Sequence, residues 1–164
     1  MKPHGPTKSK SYMLTIQIEA HTELTTEVAN HIAAISARIN ELDRAQTIES
    51  LHSKLDNQAC LILLAYVEGE LAGFKIGYQL DNKRFYSWLG GVDADFRQLG
   101  LAKSMLEYQE KWATEQGYQR LEVKTRNQFN AMLTMLVTNQ YHITQVESAT
   151  DSADNKLFLH KELA

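Results

Sequence analysis

The chain has 164 residues, 43% of them hydrophobic and 23% charged, which suits one compact domain with a single apolar core. A net charge of -3 offers no broad basic field for a nucleic-acid backbone. One cysteine, Cys60, excludes an internal disulfide framework or cysteine-rich zinc site, and no apolar run reaches the roughly 18 to 20 residues of a membrane span. These features predict a soluble, cytoplasmic protein that binds neither nucleic acid nor membrane.

Both prolines, Pro3 and Pro6, lie in the polar start of the chain, so residues 1–12 read as a flexible arm and residues 13–164 as a single domain. "YMLTIQIEA" alternates like a strand, with Leu14, Ile16 and Ile18 on one side. "HTELTTEVANHIAAISARINEL" places Val28, Ile32, Ile35 and Ile39 at helical spacing behind threonines able to cap. "TIESLHSKLDN" predicts a second, short helix. "ACLILLAYVEGELAGFKIGYQL" reads as two strands joined at "EGE", and "KRFYSWLGGV" as a third.

From Leu101 the period becomes helical: Leu101, Met105, Tyr108 and Trp112 form one stripe, which Gly117 ends. "YQRLEVKT" alternates again, with Leu121 and Val123 opposite Glu122 and Lys124. "NQFNAMLTMLVTN" predicts a fourth helix, and "QYHITQVES" and "NKLFLHKEL" a closing strand pair. The order β-α-α-β-β-β-α-β-α-β-β predicts an α/β (α+β) fold, a sheet of about seven strands with four helices.

Of eight glycines, three fall within "GGVDADFRQLG", between a strand and a helix. Unpaired N–H groups of the loop and first helical turn, together with the helix dipole, make an anion site there. Small residues at Gly100 and Ala102 leave the backbone accessible, while Arg97 and Lys103 supply charge from the flank. No G-x-G-x-x-G or G-x-x-x-x-G-K-[ST] run occurs, which argues against a dinucleotide fold or a triphosphatase.

The segment "VDADFRQLGLAKSMLEYQEKWATEQGYQRLEVKTRNQFNAML" resembles the acyl-CoA-binding core of the GNAT superfamily of N-acetyltransferases, whose signature is a Q/R-x-x-G-x-G/A loop before the third helix. The resemblance implies a GNAT-like mixed, mostly antiparallel sheet. It also implies acetyl-CoA as co-substrate, its pyrophosphate held by Arg97, Gln98, Leu99, Gly100, Leu101, Ala102 and Lys103. Val92 falls where the main chain bonds the pantetheine arm, and Asn127 on the family's asparagine facing the cofactor. Asn127 reads equally as an N-cap.

Two positions depart from the family pattern: Ala94 stands where proline is frequent, and Leu136 falls on or near the tyrosine that acts as general acid. Tyr141 matches the terminal aromatic and is expected to be structural. The family's fourth and fifth strands splay beside the thioester, which singles out Glu122 as a base through water and Tyr86 as a donor to the substrate. The alternatives are a solvated strand glutamate beside Lys124 and a buried sheet tyrosine. Trp88 reads as packing or a pocket wall. Cys60 lies in an apolar run and reads as core, which favours direct attack in a ternary complex over an acyl-cysteine.

No metal is expected, because the six histidines form no pair of ligand spacing. The acceptor is expected to be a primary amine of a small molecule or peptide, with Glu41, Asp43, Glu49 and Asp56 available to attract it. The competing reading is a catalytically weak or inactive CoA-binding module, a sensor or interaction protein, for which the absent tyrosine speaks. A homodimer through an edge of the closing strands is a further expectation.

Overall fold

The computed structural model describes residues 14–42 and 45–164. The predicted arm, residues 1–12, and Asp43 lie outside the described residues. The elements run β1 (Ile16–His21), α1 (Thr26–Ser36), α2 (Ile48–Leu55), β2 (Cys60–Val67), β3 (Glu70–Gln79), β4 (Arg84–Val92), α3 (Leu101–Glu115), β5 (Arg120–Arg126), α4 (Asn130–Thr138), β6 (His142–Glu147) and β7 (Lys156–Glu162). This is the order read from the sequence. Short 3-10 turns occur at Ala94–Phe96 and Ser152–Asp154. Among the described residues no helix is long and apolar enough to cross a membrane.

The strands form one seven-stranded sheet in the order β1-β2-β3-β4-β5-β7-β6. Only β4 and β5 run parallel, and α3 makes the crossover between them. β2 and β3 close through Glu68 and Gly69, both at positive φ, the requirement of a twist-matched two-residue hairpin.

Alternation along each strand builds two cores. Leu61, Leu63, Ala65, Phe85, Leu121, Val123, Leu157 and Leu159 face α3 and α4, whose Leu101, Met105, Leu106, Ala113 and Leu136 cover them. Ile62, Leu64, Phe74 and Ile76 face α1 and α2, where Val28, Ile32, Ile35, Leu51 and Leu55 are buried. Thr25 caps α1 by accepting from the Val28 N–H at 3.2 Å.

Three expectations are corrected. α1 ends at Ser36 although its apolar stripe runs to Ile39; Ile39 is buried from the turn that follows, against Gly91. Tyr108 is 38% exposed and Gln109 takes the core position instead, because the buried stripe of α3 lies toward Leu106 and Ala113. The single apolar core expected from composition is instead two, because the sheet separates one on each face.

Candidate active site

Parallel pairing of β4 with β5 runs from Arg84–Arg120 to Ser87–Val123 and stops. Beyond it, β4 stays on β3 and β5 stays on β7, so the two strands part. A bulge marks the place: Ile76 pairs with Leu89 but Gly77 with Ser87, leaving Trp88 as the extra residue. A bulge bends and twists its strand, which here turns the end of β4 away from β5.

The parted stretch of β4 turns one edge to the opening rather than to a strand. The Asp93 N–H donates to the Ala72 carbonyl at 2.8 Å, toward β3, so alternation points the N–H and C=O groups of Val92 and Gly90 into the opening. Asp93, 9% exposed, organises the turn that follows. Its Oδ1 accepts from the Asp95 N–H at 3.0 Å, and its Oδ2 from Arg38 Nε at 2.9 Å, while Arg38 also donates to the Leu71 carbonyl. This anchoring pair was not singled out from the sequence, although D-A-D is an Asx-turn pattern.

The loop then enters α3 with Gln98 at φ 64° and Gly100 at φ 80°. Gly100 is the N-cap and offers no side-chain cap; a Cβ there would meet nothing within 4 Å. Among the described residues no hydrogen bond uses the N–H of Gly100, Leu101, Ala102 or Lys103, whereas the 3-10 turn at Ala94–Phe96 draws the Arg97 N–H back toward its own carbonyls. The first helical bond runs from the Ser104 N–H to the Gly100 carbonyl at 3.0 Å. Leu101 turns its side chain into the core, and the N–H groups of the first turn have no intrahelical partner. Lys103 is exposed on the flank.

Arg97 is more engaged than its sequence context suggests. Its guanidinium pairs with Glu41 at 2.6 Å and donates to the Val92 carbonyl from both Nε and a terminal nitrogen at 3.3 Å. It therefore ties the segment after α1 to the edge of β4. The same hydrogen bond holds the Glu41 carboxyl below the usual carboxylate range. Of the other acids expected to draw an amine, Glu49 and Asp56 line a shallow depression beside α2 with His52 and Ser53, and Asp56 pairs with His52 at 2.9 Å.

On the opposite sheet face Tyr86 and Glu122 stand side by side in register, and the next strand places His160 beside Glu122. Glu122 accepts from Arg84 at 3.0 Å. Burial, then the neighbouring Tyr78 and Glu122, push the Tyr86 hydroxyl up to about 12, so it stays protonated and able to donate. Tyr78, Tyr86 and Trp88 form an aromatic strip, with ring centroids 5.4 and 6.1 Å from Tyr78. Lys54 and Lys124 lie over these rings.

Asn127 does not open α4 and does not cap it. The helix starts at Asn130 behind Phe129, and Asn127 donates its N–H to the Asn155 carbonyl at 3.1 Å and its Nδ2 to the Ser152 carbonyl at 3.0 Å. It ties the end of β5 to the β6–β7 connection. Leu136 is 1% exposed, in the core. Tyr141 is also buried and donates to Glu110 at 2.7 Å, the structural role expected of it. Cys60 is buried, which pushes its thiol up and away from reactivity.

Comparison with known proteins agrees with this fold. Residues 19–134 match the model of the Acetyltransferase (GNAT) family. The fold is similar to the ribosomal-protein-S18-alanine N-acetyltransferase from Escherichia coli, with TM-score 0.74, 14% identity, and 90% of this chain and 95% of that one covered. Ard1 from Thermoplasma volcanium gives TM-score 0.71 at 17% identity, covering 90% and 98%. A GNAT family acetyltransferase from Elizabethkingia anophelis, solved with acetyl-CoA bound, gives 0.67 at 17%, also covering 90% and 98%. No curated protein matches the chain.

Proposed function

The chain belongs to the GNAT acetyltransferase family, and from that premise we propose that it is an N-acetyltransferase that moves an acetyl group from acetyl-CoA to a primary amine of a small molecule or peptide. The observation that carries this reading is the run of bare N–H groups at residues 100–103 beside the open edge of β4.

The residues fit a diphosphate. Donors on one loop and one helix start converge, Gly100 keeps side-chain bulk away from them, and the helix dipole adds roughly half a positive charge. Lys103 contributes charge from the exposed flank, and Arg97 would do so on exchanging Glu41 for phosphate. Val92 and Gly90 offer main-chain groups along the opening, the geometry by which an extended arm adds to a sheet edge. Acetyl-CoA supplies the activated acyl group; the chain supplies position and polarity.

Tyr86 donates to or orients the acceptor from the opposite face, where Glu122 acts as a base through water once Arg84 has fixed its carboxylate. A main-chain N–H of the parted stretch of β4 polarises the acyl carbonyl. With Cys60 buried, direct attack in a ternary complex needs no covalent enzyme intermediate. Asn127, tied to the β6–β7 connection, positions that connection at the end of β5.

The test is a CoA-release assay with mass detection of product over a panel of small primary amines and peptide N-termini, alongside calorimetric titration of acetyl-CoA. Binding with acetyl transfer to at least one acceptor class is the expected result. Absence of acetyl-CoA binding contradicts the proposal, and binding without turnover across the panel supports the CoA-binding module instead.

A further inference from the structure

Lys75 interrupts the apolar stretch Ala72–Ile76 of β3 and is only 8% exposed. Its neighbours Phe74 and Ile76 turn to the α1–α2 core, so alternation sends Lys75 to the α3 side. Opposite it stand Leu63 on β2 and Gly90 on β4. A Cβ on Gly90 would lie 3.5 Å from Lys75 Cγ, so the first part of the lysine stem lies over the place where Gly90 has no side chain. Gly90 lies beyond Ser87, where β4 has parted from β5. The stem therefore starts beside the parted stretch of β4, on the α3 side of the sheet.

Among the described residues the Lys75 ammonium has no hydrogen bond or ion pair. The charge that acts on it is Glu110 of α3, whose oxygens already accept from Tyr141 and Lys161 at 2.7 and 3.2 Å. β2 and β4 present no ionisable side chain at its register, and α4 carries none at all. Burial, opposed by Glu110, pulls its pKa down to about 8. An apolar side chain of that length would avoid the cost of desolvating an ammonium, so packing alone does not retain Lys75 here.

We infer that Lys75 is the acid that protonates the sulfur leaving group of the acyl donor. The inference rests on the reading above, in which the thioester lies between β4 and β5. As the acceptor nitrogen bonds to the carbonyl carbon, the C–S bond breaks, its electron pair goes to sulfur, and Lys75 Nζ gives that sulfur a proton. The proton shed by the nitrogen passes to Glu122 or water, and Lys75 is recharged from solvent. The products are an amide and a free thiol, with nothing oxidised or reduced. A thiol titrates near 8.5, close to this lysine, the condition for efficient proton transfer. Leu136, fully buried on α4, offers no hydroxyl for the task.

Coenzyme A titrated on the protein, read by the ultraviolet absorbance of its thiolate, tests the placement without turnover. The parent is expected to make the bound thiol a stronger acid than it is in water, and Lys75→Met to make it at least tenfold weaker than in the parent. With a turned-over amine, Lys75→Met is expected to lower kcat on the order of 10²-fold and to erase the alkaline limb near pH 8. Lys75→Arg keeps the thiol acidic yet also loses that limb, because a guanidinium does not give up its proton. Should the methionine variant not fold, Lys75→Gln gives the same comparison. If coenzyme A binds and the thiol is equally acidic with and without Lys75, the inference is overturned while the cofactor cleft stands. If coenzyme A does not bind the parent, the reading of the cleft falls and takes the inference with it.

Discussion

At the residue scale, Lys75 links stability to pH. Its folded pKa lies below its ordinary 10.5, at about 8, so between those values the unfolded chain holds more protons than the folded one. The cost of the buried ammonium is full below pH 8 and is relieved as pH rises toward 10.5. Lys75→Met removes that cost, and at pH 7 the variant is predicted to be more stable by up to about 3 kcal/mol. The gap should narrow as pH approaches 10. Urea unfolding at pH 7 and 9.5 measures both; a methionine variant less stable than the parent at pH 7 contradicts the account. Lys75 was not legible in the sequence as a site, because one lysine in an apolar strand looks like a residue at a solvated edge. Its burial follows from pairing with Gly90, which only the register reveals.

Arg97 and Glu41 give a second prediction at this scale. Their bridge is exposed on both sides, so it contributes little to folding, but it competes with phosphate for the guanidinium. Glu41→Gln should tighten acetyl-CoA binding several-fold and Arg97→Glu should weaken it about tenfold or more, with unfolding midpoints nearly unchanged. Calorimetry in low salt reads both; equal affinity in parent and Arg97→Glu would remove the arginine from the site. The sequence marked Arg97 as a flanking cation, yet its partner is 56 positions away and no local pattern indicates it.

At the element scale, the entry to α3 depends on one left-handed residue. Gly100 sits at φ 80°, where a β-branched side chain costs roughly 1 to 2 kcal/mol, and a Cβ there would stand in open space at the start of the helix. Gly100→Val is predicted to lower the unfolding midpoint modestly and acetyl-CoA affinity at least tenfold. Thermal unfolding and titration of the same preparation separate the two effects; undiminished affinity would show that the backbone there is not approached closely. This element was readable in advance, since a glycine before an apolar helical stripe is a local signal. Helix ends were less so. The stripe through Ile39 continues past the end of α1 because buried side chains do not require helical backbone, and the asparagine at 127 forms long-range ties rather than a cap. The bulge at Trp88 was invisible, because it is a property of two strands together.

At the scale of the whole molecule, the strand order and the single parallel pair put the working parts in one place. The crossover through α3 brings the helix start to the end of β4, and the parting of β4 and β5 opens the sheet beside it. The order of elements was legible because each is strongly periodic and separated by turn residues. Sheet order and the parting were not, since they depend on pairings between distant segments. The face with Tyr86, Glu122 and the lysines over the aromatic strip is likewise a product of register across β3, β4 and β5.

The central claim is that main-chain donors at the start of α3 hold the two phosphates of the acyl carrier. Amide hydrogen exchange resolved to single residues, measured without ligand, with acetyl-CoA and with acetyl-pantetheine, tests it most directly. Acetyl-CoA is expected to slow exchange at residues 100–103 at least tenfold, and acetyl-pantetheine, lacking the diphosphate, is not. Exchange at those amides unchanged by saturating acetyl-CoA would contradict it.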